Sequence, residues 1–435
     1  MTKKKVNEIT PDFSFPPELE EKIPAHQYSV GHIRLFLSFV LSAATSLRGA
    51  ARCQDVVKSF FNLPSAMPSW YSGRLWLMRL GYYMLTRPKT MADNWLWIID
   101  HTVQIGSEKC FVVLGIRQNH LPKAGQCLQH RHLELIELLP VKQSNGKIVY
   151  DQLEAVAKKT GLPRAILSDH GSDIKSGVDQ FCEIHLLTSP LYDITHKVAC
   201  LLKKQLHEDA RWNEFTCFAS QVKSRLQQTR LAHLRPPKQR TKARYMNVAP
   251  LLRWAQRLLF LVTHPDQKDE DIKTLLGPIA DFEEELISWG ETMQVCVKVT
   301  HYMRSNYLQS NSQKKLKTYL KEQLPELETP VAQAMQKQLL SFVGEQQREC
   351  YLPKERLPAS SEVIESVFGK QKFIERDQSS NGFTGLVLAM GAIVSTLSDE
   401  IIKKAMTSVS TKDVIDWCKK QIGQSVQAKQ REVFS

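Results

Sequence analysis

The chain has 435 residues, more than one ordinary domain holds, so about two to four domains are expected. Its 42% hydrophobic and 24% charged residues are typical of a globular protein with enough apolar material for a core, which excludes a disordered or low-complexity chain. The 58 Lys and Arg residues exceed the 45 Asp and Glu residues, and the resulting formal charge of +13 favours a polyanionic partner.

Cysteine usage and the apolar segments argue against a secreted or membrane protein. Nine cysteines, an odd number, occur without a C-x-x-C pair or the spacing of zinc ligands, which indicates a reducing intracellular compartment. The N-terminus has basic residues but no apolar run behind them, so no signal peptide is predicted. Residues 33–47 form the best membrane candidate, but they are too few to span a bilayer and are interpreted as a core helix.

Residues 1–90 are predicted to form an N-terminal helical domain. Apolar residues recur at helical spacing between residues 46 and 87, and the segment NLPSAMPS interrupts them with the Pro and Ser content of a turn followed by an N-cap. Two short helices around a turn suit a helix-turn-helix, whose second helix would enter the major groove of DNA. A small helical bundle without a DNA-binding role is the alternative.

From about residue 91 the helical spacing gives way to short apolar runs that predict five strands with helices among them. In chain order these runs are NWLWIID (94–100), KCFVVLGI (109–116), HLELIELLPV (132–141), the run that begins LPRAILSD (162–169), and IHLLTS (184–189). A helix over 150–161 ends on Gly161 in C-cap position, and two more follow the fourth and fifth strands. Three strands, a helix, a strand, a helix and a strand is the order of the RNase H core. We therefore expect an α/β fold whose mixed sheet is flanked by helices.

Two acids follow predicted strands at positions that suit metal chemistry. Asp100 ends the first strand and Asp169 ends the fourth. Two carboxylates that face each other at neighbouring strand ends are unstable unless a divalent cation shares them, so the pair implies a metal. A helix cap or a turn acid is the alternative for each residue, and Asp173 is a rival to Asp169.

The segment SSEVIESVFGKQK (360–372) predicts a helix that carries a third acid. Its apolar stripe would fix the helix against the core, while Glu365 and Lys372 share another face. A carboxylate packed against the same strand ends would complete a site for two Mg²⁺ ions, and Lys372 would hold a DNA phosphate. The alternative is an ordinary solvated helix face.

These motifs together resemble the DDE transposases of insertion sequences, whose RNase H-like core carries Asp, Asp and Glu in this order. The stretch IESVFGKQK is similar to the family segment in which the catalytic Glu is followed by six residues and a Lys, matching Glu365 and Lys372. The Tyr and Arg that the family has seven and four positions before the Glu are absent, because Pro358 and Ser361 stand there.

The resemblance covers residues 91–206 and 356–395 and implies the activity of a DNA transposase. Asp100, Asp169 and Glu365 would be the catalytic residues and would bind two Mg²⁺ ions, with Mn²⁺ as a substitute. One metal would activate water to nick the transposon end, and the freed 3′-hydroxyl would then attack target DNA. The implied partner is double-stranded DNA, both transposon ends and target, and the active species is a homodimer or larger oligomer on DNA inside the cell, in the cytoplasm or nucleoid of a prokaryote.

A second segment, LYDITHKVACLLKK (191–204), resembles the region after the fifth strand of several transposase groups, where an Asp or Cys precedes a His at the start of a basic helix. Asp193 and His196 would then lie near the scissile phosphate, and His196 would contact DNA. The alternative, with Asp193 as an N-cap and His196 as an ordinary first-turn residue, stays open.

About 200 residues separate Asp169 from Glu365, far more than one connection needs, so residues 207–355 are predicted to form an α-helical insertion domain. Residues 356–435 would complete the core and add C-terminal helices. From Phe215 to Pro265 there is no Asp or Glu, and the basic residues of this block are interpreted as a phosphate-contacting surface. The DNA contacts predicted within it are Arg235, Lys238, Arg240, Lys242 and Arg244.

The insertion leaves three further points open. The segment RPPKQRTKARY (235–245) has the composition of a solvated linker as well as of a DNA-binding arm. The acidic segment that follows, residues 266–291, would pair with the basic block or face solvent. Trp289 is predicted to stack on an unpaired base, although its helical spacing also suits a core residue.

Two other functions compete with transposition. The first is a metal-dependent nuclease of the same fold, such as a junction resolvase or a ribonuclease H, which needs no large insertion. The second is a domesticated DNA-binding derivative without catalysis, which the presence of all three carboxylates disfavours. An ATP-dependent mechanism has no support, because the sequence has no G-x-x-x-x-G-K motif, and no nucleotide cofactor is expected.

Overall fold

The computed structural model describes residues 20–61, 66–103, 108–238, 248–376, 384–424 and 426–434, and it is a mixed α/β structure. The strands are β1 Trp95–Val103, β2 Lys109–Arg117, β3 Glu134–Val141, β4 Pro163–Ser168 and β5 Ser189–Tyr192. The α-helices are α1 Val30–Leu41, α2 Leu47–Phe61, α3 Trp70–Thr86, α4 Gly146–Thr160, α5 Ser172–Ile184, α6 Ile194–His207, α7 Ala210–Leu226, α8 Val248–Thr263, α9 Glu270–Leu276, α10 Glu283–Asn306, α11 Ser312–Gln323, α12 Pro330–Gln346, α13 Glu362–Arg376, α14 Ala389–Ile393, α15 Asp399–Ser408, α16 Thr411–Gln421 and α17 Val426–Phe434. Short 3-10 helices cover Gln118–His120, His130–His132, Ala232–Leu234, Gly277–Phe282, Gln347–Glu349 and Gly385–Leu388.

The five strands form one sheet in the order β3-β2-β1-β4-β5. Strand β2 pairs antiparallel with both β1 and β3, whereas β4 pairs parallel with both β1 and β5. The parallel pairs are connected through helices α4 and α5, as parallel strands require. The carboxyl ends of β1, β4 and β5 therefore meet at one edge of the sheet.

Both faces of the sheet are covered, which explains why its strands are almost continuously apolar. In β1, Leu96 and Ile98 belong to a large core shared with helices on one face, while Trp97 and Ile99 belong to a second core on the other face. Because successive side chains of a strand point to opposite faces, the run needs apolar residues at every position.

Two predicted strand boundaries are wrong, and both errors have a physical cause. Strand β1 continues past Asp100 to Val103, because β2 is long enough to pair with the extra residues. The fifth strand is not residues 184–189: the side chains of Leu186 and Leu187 are 82% and 77% exposed in the turn after α5. Strand β5 begins at Ser189, where pairing with β4 becomes available.

The N-terminal helices pack against the C-terminal segment and the sheet. Helix α3 contacts α14, α15 and β3, and its buried residues belong to the same core as the strand residue Ile98. An added Cβ at Gly81 would lie 1.8 Å from the carbonyl oxygen of Leu388, so the two backbones meet where only glycine fits. The boundaries 1–90, 91–206, 207–355 and 356–435 stay predictions.

Between α6 and α13 the described residues include a separate apolar core, formed by residues of α7, α8, α9 and the first part of α10. The last part of α10 and helices α11 and α12 contribute instead to the large core of the sheet. Among the described helices, none combines the length and apolar character needed to cross a bilayer.

Candidate active site

The register of β1 and β4 brings the first two predicted acids side by side. Ile98 pairs with Leu167 in parallel, so two residues further along each chain Asp100 and Asp169 reach neighbouring positions. Burial, followed by the negative charge of Asp169, raises the pKa of Asp100 to about 8. The carboxyl group of Asp100 accepts a hydrogen bond of 2.6 Å from the backbone N–H of His101, which partly offsets this rise.

Asp169 lies in the turn that connects β4 to α5. Its Oδ1 accepts a hydrogen bond of 2.9 Å from the N–H of Gly171, and the intervening His170 has a φ of 58°, in the left-handed region. The imidazole of His170 stacks on the ring of Tyr192 with centroids 4.2 Å apart, and this contact fixes the turn against the end of β5.

The rival acid Asp173 has other partners. Lys109 Nζ donates to its Oδ2 at 2.9 Å, and the imidazole Nδ1 of His101 lies 3.7 Å from the same oxygen. Burial acts to raise the pKa of Asp173, but the hydrogen bonds from Lys109 and Ser144 lower it to about 2. Asp173 is therefore held as a charge-paired carboxylate in the first turn of α5, whereas Asp169 is the neighbouring charge that contributes most to the raised pKa of Asp100.

The third acid, Glu365, enters from the first turn of α13, which packs against β1. Its negative charge contributes to the raised pKa of Asp100, so the three carboxylates share one electrostatic environment. A hydrogen bond of 3.0 Å joins Glu365 Oε1 to the Nε2 of His196. This bond is the largest cause of the rise in the pKa of His196, to about 9, so the imidazole is a cation at neutral pH.

Asp193 ties the start of α6 to the start of α13. As the N-cap of α6, its Oδ1 accepts from the N–H of Thr195 at 2.8 Å, and its Oδ2 accepts from the hydroxyl of Ser361 at 2.7 Å. The backbone N–H of Ile194 also donates to the carbonyl of Ala359 at 3.0 Å. These bonds fix the position of Glu365, four residues after Ser361, relative to the sheet.

Asp193, His196 and Glu365 form a group in which one ligand atom of each residue lies within 4.8 Å of the others. Burial raises the pKa of Asp193, which is fully buried. Both carboxylate oxygens of Asp193 already accept hydrogen bonds, so its role as the N-cap of α6 explains its position beside His196 and Glu365.

The remaining predicted DNA contacts differ in their surroundings. Lys372 is exposed on the same face of α13 as Glu365, about 10 Å along the axis, and it has no ion pair among the described residues. Arg235 and Lys238 are also exposed. Arg240, Lys242 and Arg244 lie outside the described residues.

The burial of Trp289 contradicts the prediction that it stacks on a DNA base. Its side chain is only 3% exposed, its indole N–H donates to Asp209 Oδ2 at 2.8 Å, and its ring meets that of Trp212 edge to face at 4.9 Å. The apolar core between α7 and α10 therefore encloses the ring, and no face is open to a base.

Part of the basic block pairs with the acidic segment, as one of the open interpretations expected. Arg230 forms ion pairs of 2.7 Å with both Asp269 and Asp271. Exposed arginines Arg235, Arg253 and Arg257, together with Trp254, line a cavity of about 460 Å³ nearby.

Sequence reasoning missed several polar residues that surround Glu365. A cleft of about 650 Å³ adjoins it and includes His130, Arg304, Glu362 and Lys370. Glu362 lies one helical turn before Glu365, and this spacing is a signal that could have found it. Arg304 and His130 come from distant segments, and no local pattern links them to α13.

Comparisons with known proteins give little further information. No family model matches the chain, and no curated protein matches it. Among solved structures, it is similar to the Drosophila P element transposase strand transfer complex, with 11% identity and a TM-score of 0.36 over 89% of this chain and 93% of the other. Similarity this low establishes neither a shared fold nor a shared function.

Proposed function

We propose that this chain is a DNA transposase of the DDE type, in which Asp100, Asp169 and Glu365 bind two Mg²⁺ ions. The observation that supports the proposal is the register of β1 and β4, which brings Asp100 beside Asp169, together with the negative charge of Glu365 that contributes to the raised pKa of Asp100. An RNase H-like core is part of the proposal. Its support is the strand order β3-β2-β1-β4-β5, with three antiparallel strands followed by two parallel ones.

The donor set fits divalent metal. Three carboxylates offer only oxygen ligands, which Mg²⁺ and Mn²⁺ prefer. Without a cation the pKa of Asp100 is raised to about 8, because burial and neighbouring negative charge both oppose its ionisation. When bound, such ions would activate a water molecule or a 3′-hydroxyl for attack at phosphorus.

The surrounding side chains would orient the acids and the DNA. His196 donates to Glu365 and limits its rotation, while its positive charge suits a nearby phosphate. Lys372, two turns beyond Glu365 on α13, would contact the DNA backbone. The exposed Arg235 and Lys238 would extend this contact over the helices between α6 and α13, and a homodimer or larger oligomer on double-stranded DNA is expected.

A comparison of wild type with Glu365→Ala tests the proposal. Mg²⁺-dependent cleavage and strand transfer are measured on DNA that carries the flanking ends of the element, and DNA binding is measured in parallel. We expect both reactions to fall by at least about a hundredfold with binding retained, because the variant loses a metal ligand worth several kcal/mol. Glu322→Ala, an exposed acid on α11, is the matched control.

The outcomes separate the competing functions. Unchanged activity in Glu365→Ala would exclude this residue from the metal site. Cleavage without strand transfer in the wild type would favour a nuclease of the same fold. Binding without either reaction on several candidate ends would favour a DNA-binding derivative.

A further inference from the structure

A cleft of about 650 Å³ lies against the first half of α13 and includes Glu365 in its lining. One wall consists of α13 residues, namely Glu362, Glu365, Ser366 and Lys370. Two distant segments form the other wall: His130 belongs to the 3-10 helix His130–His132, and Arg304 to the last turn of α10. The volume is that of a site for a small organic ligand or a nucleotide unit.

Two cationic side chains of the cleft, Arg304 and Lys370, have donor nitrogens that its acidic side chains do not occupy. Arg304 contacts the Oε2 of Glu362 at 2.5 Å through its Nε, and its side chain stays 39% exposed. Among the described residues, its two terminal nitrogens have no hydrogen-bond partner, and neither does the ammonium group of Lys370. An arginine fork and a lysine that are both exposed and available are the groups that bind phosphate oxygens in proteins.

His130 links the two walls. A hydrogen bond of 3.0 Å joins its Nε2 to the hydroxyl of Ser366. Burial, followed by the positive charge of Lys370, lowers the pKa of His130, so the imidazole is neutral at physiological pH. His130 is therefore a neutral side chain that joins the two walls, and the cationic groups of the cleft are Arg304 and Lys370.

We infer that this cleft binds a backbone phosphate of the DNA strand next to the phosphate under attack, with Arg304 and Lys370 as its ligands. The inference rests on the proposed function, because Glu365 is shared between the cleft and the proposed metal site. Glu362 is neutralised by Arg304, so once Glu365 is occupied by metal the remaining charge of the cleft is positive. Its open form suits a strand that passes through.

Arg304 has a particular place in this assignment. It is the last basic residue of α10, a helix from the predicted insertion, yet it touches the first turn of α13. The helices between α6 and α13 would therefore contribute directly to the reaction site as well as to a distant DNA surface.

The probe for the test is a labelled single-stranded oligonucleotide of about ten nucleotides and arbitrary sequence, because backbone contacts do not depend on sequence. Fluorescence anisotropy gives its affinity for the full chain in Mg²⁺ buffer over a range of salt concentrations. We expect Arg304→Gln and Lys370→Gln each to weaken binding by about tenfold. Each should also reduce the slope of log K against log salt by about 0.7.

The matched control is Lys317→Gln, which removes an exposed lysine on α11 that has no ion pair among the described residues. It should leave affinity and slope at wild-type values. Arg304→Lys keeps the charge beside Glu362 and should recover most of the binding, and a thermal unfolding midpoint near wild type identifies the variants that remain folded. Lys370→Gln breaks no contact, so it stays informative if Arg304→Gln unfolds.

Metal titration calorimetry on the same variants separates the two proposals. Arg304→Gln and Lys370→Gln should bind Mn²⁺ as wild type does, whereas Glu365→Ala should lose Mn²⁺ affinity; unchanged metal binding in Glu365→Ala contradicts the proposed function alone. Wild-type oligonucleotide affinity and salt slope in both basic variants would overturn the cleft assignment. So would tight binding of inorganic phosphate that Arg304→Gln abolishes while the oligonucleotide affinity stays intact.

Discussion

The buried carboxyl group of Asp100 leads to a quantitative prediction for the metal-free protein. Burial and the charge of Asp169 raise its pKa to about 8, whereas an unfolded Asp titrates at about 3.9. Between these values the folded chain keeps a proton that the unfolded chain has released, so the free energy of unfolding falls as the pH rises. The decrease is about 1.4 kcal/mol for each pH unit, which amounts to about 4 kcal/mol between pH 4 and pH 7.

Asp100→Asn removes the titrating group at almost constant volume. In EDTA at pH 7 we expect the variant to be more stable than wild type by about 2 to 4 kcal/mol, the lower figure allowing for amide hydrogens that find no acceptor. At pH 5 the gain should shrink to about 1.5 kcal/mol or less. Added Mg²⁺ should stabilise wild type, because a ligand that binds only the native state raises the free energy of unfolding. The stability of Asp100→Asn should stay almost unchanged, because this variant lacks one of the proposed metal ligands.

Urea unfolding followed by tryptophan fluorescence measures these differences. Asp281→Asn is the control, since Asp281 is exposed and, among the described residues, its side chain has no hydrogen-bond or ion-pair partner. The stability of this variant should stay within about 0.5 kcal/mol of wild type. Equal stabilities of wild type and Asp100→Asn at pH 7, or a gain that does not change between pH 5 and pH 7, would refute the electrostatic account of the site.

Three further stability predictions concern contacts within the fold. Arg164→Met should lower the free energy of unfolding in urea by about 3 to 5 kcal/mol, because Glu355 would stay buried without its ion-pair partner. The Glu355 side chain is 1% exposed and lies 2.7 Å from the guanidinium. Changing both residues to Met should recover most of the loss, and a loss below about 1 kcal/mol in the single variant would contradict the ion pair. Gly81→Ala should cost about 3 kcal/mol or more, because the new Cβ would meet Leu388 O at 1.8 Å. The helical Gly369 has open space around it, so Gly369→Ala should instead gain about 0.5 to 1 kcal/mol, and similar thermal shifts in the two variants would argue against the backbone contact.

The sequence predicts most of the sheet, because burial on both faces makes its strands visible as continuous apolar runs. Local chemistry also indicates the ends of helices: Gly161 has a φ of 84° at the end of α4, and Asp193 caps α6. The predicted acids Asp100 and Asp169 share one edge because parallel strands end together, which is a consequence of topology rather than of any local signal.

The remaining features depend on contacts between distant segments. Leu186 and Leu187 form an apolar run that remains in solvent, since the hydrogen-bonding partner of a strand is available only from Ser189 onward. The helical spacing of Trp289 favours a core residue over one that stacks on a base, and the packing of α7 against α10 confirms that alternative. Arg304 reaches α13 from another helix, so a linear pattern has no information about it.

The hydrogen bonds from Ser361 to Asp193 and from Ile194 to Ala359 join parts of the chain that are synthesised far apart in time. During translation the sheet and its first two acids emerge well before α13, and domains generally fold as their residues become available. A nascent chain that has not reached α13 contains Asp100 and Asp169 but lacks the third carboxylate. A metal site of the proposed kind would be complete only when synthesis is nearly finished, so an incomplete chain would lack the proposed activity.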